Sequence, residues 1–570
     1  MKDEIKKFFK GDVDDSRETL NKYSHDASLL EVKPKLVLYP KDSLDVQNIV
    51  KWVNYTKKVR PTLSITARCA GTDMSGGAIG PSIILDFTRY MNHLVKFIDH
   101  IPQKYPGSLT QKEYSITVQP GMYYRDFEKI TLEKSLILPC YTASKSLNAM
   151  GGMYGNNSAG ERTLKYGKTE DYVLSAKVIF SDGNEYVVKP LNLKELAQKM
   201  AEKSFEGEVY KQIYNLIEKN KEEIKEAKPK VSKNSAGYYI WNVMTANGMF
   251  DLNKLLVGSQ GTLGIVTEIT FKVLPDIKHT KLVAVFMQDL MPLGRLVDEM
   301  LTLDPETLET YDDKTLALAV KFFPDFLKNK GLVGMFKMMW SFLPEFFMMV
   351  RGGFPKMVIL AQFAGNSEEE VQKKCEALVA KIKPFGLKTH ITKNESEANK
   401  YWDIRRDSFA LLRKHVKGKR TAPFIDDIIV RPEFLPKFIP ELNKILSKYD
   451  LTYTIAGHAG DGNFHIIPLM DFSRPDTAQI ITELSDKVYD LVMHYHGSIT
   501  AEHNDGIIRT PYLEKMFGAR VTAIFKDIKF AFDPKNILNP GKKVPTEKEG
   551  GTREYISSHL AIEHKVEHKV

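Results

Sequence analysis

Cysteine is scarce in this chain: Cys69, Cys140 and Cys375 are the only three in 570 residues. They stand too far apart for a Cys-x-x-Cys pair or an iron–sulfur ligand set, so free thiols in a reducing compartment are expected. Long apolar runs are missing as well, and no window approaches the about 18 uncharged apolar residues of a membrane-spanning helix. The N-terminus, MKDEIKKFFKGDVDDSRETL, lacks the apolar core of a secretory signal. Nor is there a dominant charge, since the net +9 is the small difference between 81 basic and 72 acidic residues. With no zinc-finger spacing and no aromatic RNA-binding signature, that mixed surface argues against a nucleic-acid partner. No nicotinamide fingerprint occurs either. What remains is an ordinary globular composition, 43% hydrophobic and 27% charged, long enough for two to four domains; a cytoplasmic protein is the expectation.

Glycine, by contrast, is concentrated. Met150 to Gly167 reads MGGMYGNNSAGERTLKYG, with almost no side-chain bulk and many residues tolerant of positive φ. Such a backbone approaches a flat ligand closely, although a bare surface loop has the same composition. Three further segments share its character. The strand ITARC runs into Ala70, Gly71, Thr72, Asp73, Met74, Ser75 and Gly76, a concentration of amides and hydroxyls suited to a pyrophosphate. Pro120-Gly121 makes a turn between a strand and a helix, and Gly258, Gly261 and Gly264 punctuate LLVGSQGTLGIVTEITFKVLP. Asp182-Gly183 reads as a hairpin turn.

The order RCAGTDMSGG, VQPGMYYRDFE, MGGMYGNNSAGERTLKYG and GSQGTLGIVTEITFKVLP resembles the FAD-binding domain of the vanillyl-alcohol oxidase/PCMH superfamily. The later GHAGDGNFH, ITAEHNDG and FDPKNILNPGK are similar to the D-lactate, glycolate and D-2-hydroxyglutarate dehydrogenase group with an FAD-linked oxidase C-terminal domain. The resemblance implies an α+β fold: a two-subdomain PCMH-type cradle over 36–275 and a C-terminal cap domain with an antiparallel sheet and helices over 276–545. A lead-in over 1–35 and a disordered tail over 546–570 complete the expected division. FAD contacts are implied for residues 70–76, for Pro120 and Gly121, and for Gly151, Gly152, Gly155, Asn156 and Ser158. Ile265 and the returning Asn539 complete that set. Cys69, Ala149 and Gln260 depart from the usual residues of these motifs. The first glycine loop has no histidine to tether a flavin, and a buried thiol at Cys69 is expected, so FAD is taken as non-covalent.

Between two strand–helix pairs of the cap lies LALAVKFFPDFLKNKGLVGMFKMMWSFLPEFFMMVRGGFPK, within an apolar and basic insertion over 311–356. It suits a bilayer interface, which would place the protein peripherally on the inner face of the cytoplasmic membrane, and equally a cap helix packed on the core or on another subunit.

The chemistry-bearing residues follow. His458 and His465 flank a glycine-rich turn, and Glu502-His503 lies downstream. Two imidazoles and a carboxylate suit a Zn2+-like ion, while hydrogen-bonded core histidines have the same pattern. The resemblance implies that His458, His465 and Glu502 are the metal ligands and His503 the catalytic base, with Asn504 where glycine is usual. A 2-hydroxy acid also needs a cationic clamp for its carboxylate. Trp402-x-x-Arg405 is similar to the family segment that provides one, so Arg405 rather than Arg406 is the choice, with Asn463 as a polar substrate contact. Asp426 and Asp427 are read either as carboxylates that orient a metal-bound histidine or as surface acids. Phe409 and Ile425 stand where hydroxyglutarate enzymes carry a threonine and a lysine, which favours a smaller acid such as D-lactate or glycolate. The expected activity is FAD-dependent oxidation of a D-2-hydroxy acid, with electrons leaving to a quinone or redox protein. An alkylglycerone-phosphate-synthase-like flavin transferase, or an electron-transfer flavoprotein without its own substrate, are the alternatives.

Overall fold

A computed structural model describes residues 1–98, 114–321, 354–415, 418–546 and 551–562. Its first sheet contains β1 (Asp12–Asp14), β2 (Leu36–Tyr39), β3 (Ile65–Arg68) and β4 (Ile83–Asp86), ordered β1-β2-β4-β3. β2 and β4 are buried throughout and pair in parallel, as the unbroken apolar runs LVLY and IILD require. β3 ends at the first glycine loop.

The second sheet contains β5 (Leu94–Ile98), β6 (Tyr114–Val118), β7 (Leu136–Ile137), β8 (Val173–Ile179), β9 (Glu185–Val188) and β10 (Ile265–Pro275). Its order is β5-β6-β10-β8-β9, with β7 also on β10. β10 alternates buried and half-buried residues along its length, so one face joins the core while the other stays accessible. The β8–β9 hairpin turns at Gly183, whose φ is +81.

The third sheet is antiparallel throughout. Its strands are β11 (His279–Met287), β12 (Thr307–Asp312), β13 (Met357–Gly365), β14 (Lys388–Ile391), β16 (Ile428–Ile429), β17 (Ile455–His458) and β18 (Asn463–Ile466), with β15 (Arg420–Thr421) and β19 (Leu469–Met470) pairing separately. The order is β14-β11-β13-β12-β17-β18-β16. Both faces are covered. Val283, Val285 and Met287 join one apolar cluster with the helices Leu293–Leu301, Glu368–Ile382 and Leu435–Leu446. Leu282, Ala284 and Phe286 join another with Tyr401 and Trp402 of the helix Glu395–His415. The period of two along β11 therefore decides which layer each residue serves.

Two expected boundaries are corrected. The stretch 1–35 is more than a lead-in: β1 extends the first sheet, and Leu29, Leu30 and Val32 are buried with the third sheet's core. The tail expected to be disordered from 546 carries the helix Gly551–His559, with Ile556 buried and Leu560 bridged to Leu30. Its order comes from an apolar partner more than 500 residues away along the chain. The late helix Leu513–Phe532 returns to the second sheet's core through Val521, Ile524, Phe525 and Phe532. The expected insertion lies, over 322–353, outside the described residues.

Candidate functional site

The hairpin β17–β18 builds half of the site. Ala456 pairs with His465 and His458 with Asn463, so both imidazoles project from one face as diagonal neighbours. Glycine is required twice here: a Cβ on Gly457 would stand 2.2 Å from Asn463 O, and one on Gly462, at φ +72, 1.9 Å from Val430 O. The result is a His458 Nε2 to His465 Nε2 distance of 3.3 Å and a His458 Nε2 to Glu502 Oε1 distance of 3.4 Å. A tetrahedral ion with bonds of about 2.05 Å separates its ligand atoms by about 3.3 Å. All three ligand atoms lie within 4.8 Å of one another, so the donor set fits a divalent cation.

Each ring is oriented from behind. His458 Nδ1 lies 2.5 Å from Glu309 Oε1 and His465 Nδ1 3.2 Å from Asp426 Oδ1. With a carboxylate at each Nδ1, both Nε2 lone pairs turn toward the shared centre. Asp426 Oδ2 also accepts from His503 Nδ1 at 2.6 Å, and the His465 and His503 rings stack with centroids 5.0 Å apart.

The backbone of the Glu502-His503 loop is held by the neighbouring acid. Asp427 Oδ2 accepts from Thr500 Oγ1 at 2.7 Å and from the amides of Ala501, Glu502 and His503 at 2.9, 2.8 and 2.7 Å. Asp427 lies just ahead of β16 with φ +68, a left-handed turn from which the adjacent carboxylates of Asp426 and Asp427 serve one site. Asn504 has φ +68, and its amide donates to Gly258 O at 2.9 Å, tying the loop to the glycine segment that contains Gly258, Gly261 and Gly264.

Charges set the protonation states. Burial opposes ionisation of Asp426, yet His503 and His465 hold it far below the usual carboxylate range. Burial likewise opposes charge on His503 and His458, but Asp426 raises the first to about 9 and Glu309 with Glu502 the second to about 9. Against its own burial, Glu502 is held well below the usual carboxylate range, chiefly by Lys233, whose ammonium is 2.6 Å from Glu502 Oε1 and 2.9 Å from Asp461 Oδ2.

Sequence reasoning missed Lys233 and Glu309. The available signals were an acid inside the strand LETYD and a lysine ahead of a buried loop. Other placements differ from expectation. Asn463, expected at the substrate, is fully buried and donates to Asp427 Oδ1 and Ile428 O; it braces the acid that holds the loop. Arg405 comes to the site, but its Nη2 is 2.5 Å from Glu309 Oε2. Arg406 pairs with Glu161 instead.

The glycine segments divide by what their glycines meet. A Cβ on Gly121 would stand 2.0 Å from Phe87 O, and one on Gly151 2.5 Å from Pro120 Cβ, so these two serve the chain's own packing. A Cβ on Gly152 would meet nothing within 4 Å, and on Gly155 only Gln260 Cα at 4.0 Å. The helix Met150–Asn156 thus buries Met150, Met153 and Tyr154 and opens a bulk-free face, on which a flat group fits. Beside it a small cavity of about 10 Å³ is lined by Asn157, Gly258, Asn504 and Lys543. In the first loop, Ser75 N and Gly77 N donate to Asp73 Oδ2 at 3.1 and 2.5 Å, so the loop's own carboxylate takes the Ser75 amide expected for a pyrophosphate together with that of Gly77. Ile265 is buried in the ladder opposite Ile179. Asn539 reaches the expected loops but engages them itself, donating to Gly77 O and Gln260 O.

A family model described as FAD binding domain matches residues 34–189, and one described as FAD linked oxidases, C-terminal domain, matches residues 277–543. The chain is 27% identical over 539 residues to a D-2-hydroxyglutarate dehydrogenase of Pseudomonas putida, covering 94% of this chain and 50% of that protein. It is 26% identical over 536 residues to glycolate oxidase subunit GlcD of Bacillus subtilis, covering 93% of each. This chain therefore spans about half the length of the hydroxyglutarate dehydrogenase and nearly all of the glycolate oxidase subunit. Among solved structures, p-cresol methylhydroxylase with substrate bound superimposes with a TM-score of 0.64 at 15% identity, over 94% of each chain, which shows a shared fold.

Proposed function

The chain belongs to the FAD linked oxidases, with an FAD-binding domain ahead of the family's C-terminal domain, and from that premise we propose that it oxidises a small D-2-hydroxy acid to the 2-oxo acid. The observation that carries the reading is the convergence of His458, His465 and Glu502 on one point, with His503 and Arg405 beside it. D-lactate and glycolate are the preferred substrates. Ile425, at the position of a second carboxylate's lysine, is buried in the apolar core.

The division of work follows from the contacts. Arg405 takes the substrate carboxylate, and His458, His465 and Glu502 hold a divalent cation, with zinc suited to the two nitrogens and one oxygen. Lys233 keeps Glu502 ionised. In its neutral form His503 donates Nδ1–H to Asp426 and its Nε2 accepts the substrate's hydroxyl proton, and the buried Asp426, which raises the ring's pKa, stabilises the imidazolium that results. When bound, the cation favours the alkoxide and the non-covalent flavin takes the hydride. Gly152, Gly155 and Asn156 would offer the open face for that flavin, whose electrons would leave to an external quinone or redox protein.

Anaerobic titration of the flavoprotein with D-lactate, glycolate and D-2-hydroxyglutarate tests the reading. Bleaching by one of the two smaller acids is expected; bleaching by none of the three ends it. No helix among the described residues is long and apolar enough to cross a membrane. For 311–356, peripheral bilayer contact that gives access to quinone is the proposal, and vesicle flotation of the intact protein but not of a 322–353 deletion, which spares Tyr311 and Asp312 of β12, is its expected signature.

A further inference from the structure

Glu309 is a buried carboxylate, 1% exposed, whose two oxygens face two different parts of the site. Oε1 lies 2.5 Å from His458 Nδ1, and Oε2 lies 2.5 Å from Arg405 Nη2. The register of β12 explains the first contact: Thr310 pairs with Gly457 and Tyr311 with Ala456, which sets Glu309 across from His458. The second follows from the helix Glu395–His415, whose Tyr401 and Trp402 pack with Tyr311 on the same face of β12. The two contacts differ in quality. The Oε1 contact is a hydrogen bond, whereas Oε2 is in ionic contact with the guanidinium but has no aligned hydrogen bond.

A single buried negative charge is therefore shared between a metal-facing histidine and a substrate-facing arginine. Negative charge drawn toward Arg405 polarises the His458 Nδ1–H less, and a less polarised imidazole is a weaker ligand through Nε2. We infer that Glu309 couples the carboxylate clamp to the metal site: a carboxylate arriving on Arg405 competes for the guanidinium, Glu309 turns its charge to His458, and the cation is held more tightly. This rests on the proposed roles of Arg405 and His458. Linkage makes the effect reciprocal, so the cation tightens carboxylate binding by the same factor. Cation and substrate then complete the site together.

The test is a chelator-competition titration of Zn2+ on the FAD-loaded protein, with and without saturating propionate, which offers a carboxylate but no 2-hydroxyl. In the intact protein propionate is expected to lower the Zn2+ dissociation constant about five-fold or more. In Glu309→Gln and in Arg405→Met the factor falls to near one. Intact protein without tightening, or Glu309→Gln with the full factor, overturns the coupling. Flavin absorbance reports whether each variant folds; if Glu309→Gln does not, Arg405→Met decides, and persistent tightening there is the contrary result. An intact protein that binds no Zn2+ also overturns it. No turnover is involved, so failure of the proposed activity is seen separately, as absence of bleaching by 2-hydroxy acids.

Discussion

His503 retains 26% of its side-chain surface while its Nδ1 is tied to fully buried Asp426, so one end of the ring is fixed and the other is reachable. Replacing it with alanine is expected to leave FAD content unchanged and to slow flavin reduction by about 10²- to 10⁴-fold, measured by anaerobic rapid mixing. The Asp426 contact also predicts a pH dependence. His503 titrates at about 9 in the folded chain against about 6.5 unfolded, so this stabilisation is complete below about pH 6.5 and is lost as the pH rises through about 9. Thermal melts of chelator-treated protein should fall across that window, and Asp426→Asn should flatten the His503 share; an unchanged slope contradicts the contact. His458, His465, Glu502 and Arg405 were legible because they sit in short, dense motifs. Glu309 and Lys233 were not, since a lone charge in a strand or loop acquires meaning only when strand register and a distant segment supply its partner.

At the scale of elements, the loop 500–503 depends on Asp427. Removing that carboxylate in Asp427→Ala leaves the Glu502 and His503 amides and the Thr500 hydroxyl without their acceptor, while Ala501 N keeps the carbonyl of residue 427; this costs at least about 3 kcal/mol, to be read in denaturant unfolding of the flavoprotein. A change under about 1 kcal/mol would mean the loop is held elsewhere. The helix Gly551–His559 makes a parallel case. Truncation after Thr546 uncovers the surface that Ile556 and Leu560 bury and is expected to cost about 2–4 kcal/mol, in the same measurement. Composition hid this helix, because the polar repeat that ends the chain dominates the reading of its tail, and its partner Leu30 lies at the opposite terminus. The strands of the third sheet were easier: LVAVFM and MVILAQFAG are apolar on both faces because both faces are covered.

At the scale of the whole molecule, the third sheet delivers Glu309, His458 and His465, the loop after the helix Thr477–His494 delivers Glu502 and His503, and the glycine segments bound the open face on which a flavin fits. The family fold was legible from the order of its motifs. The cross-ties were not: Asn539 binding Gly77 and Gln260, or Asn504 reaching Gly258, join segments hundreds of residues apart. The claim on which the account turns is that three side chains collect a cation so that His503 can take a proton from the substrate. Its most direct test is the rate of flavin reduction by D-lactate or glycolate in metal-stripped protein before and after Zn2+ is restored. The expected result is a loss of at least about 10²-fold on stripping, recovered with Zn2+ in the intact protein but not in His458→Ala; an equal rate with and without the ion would contradict it.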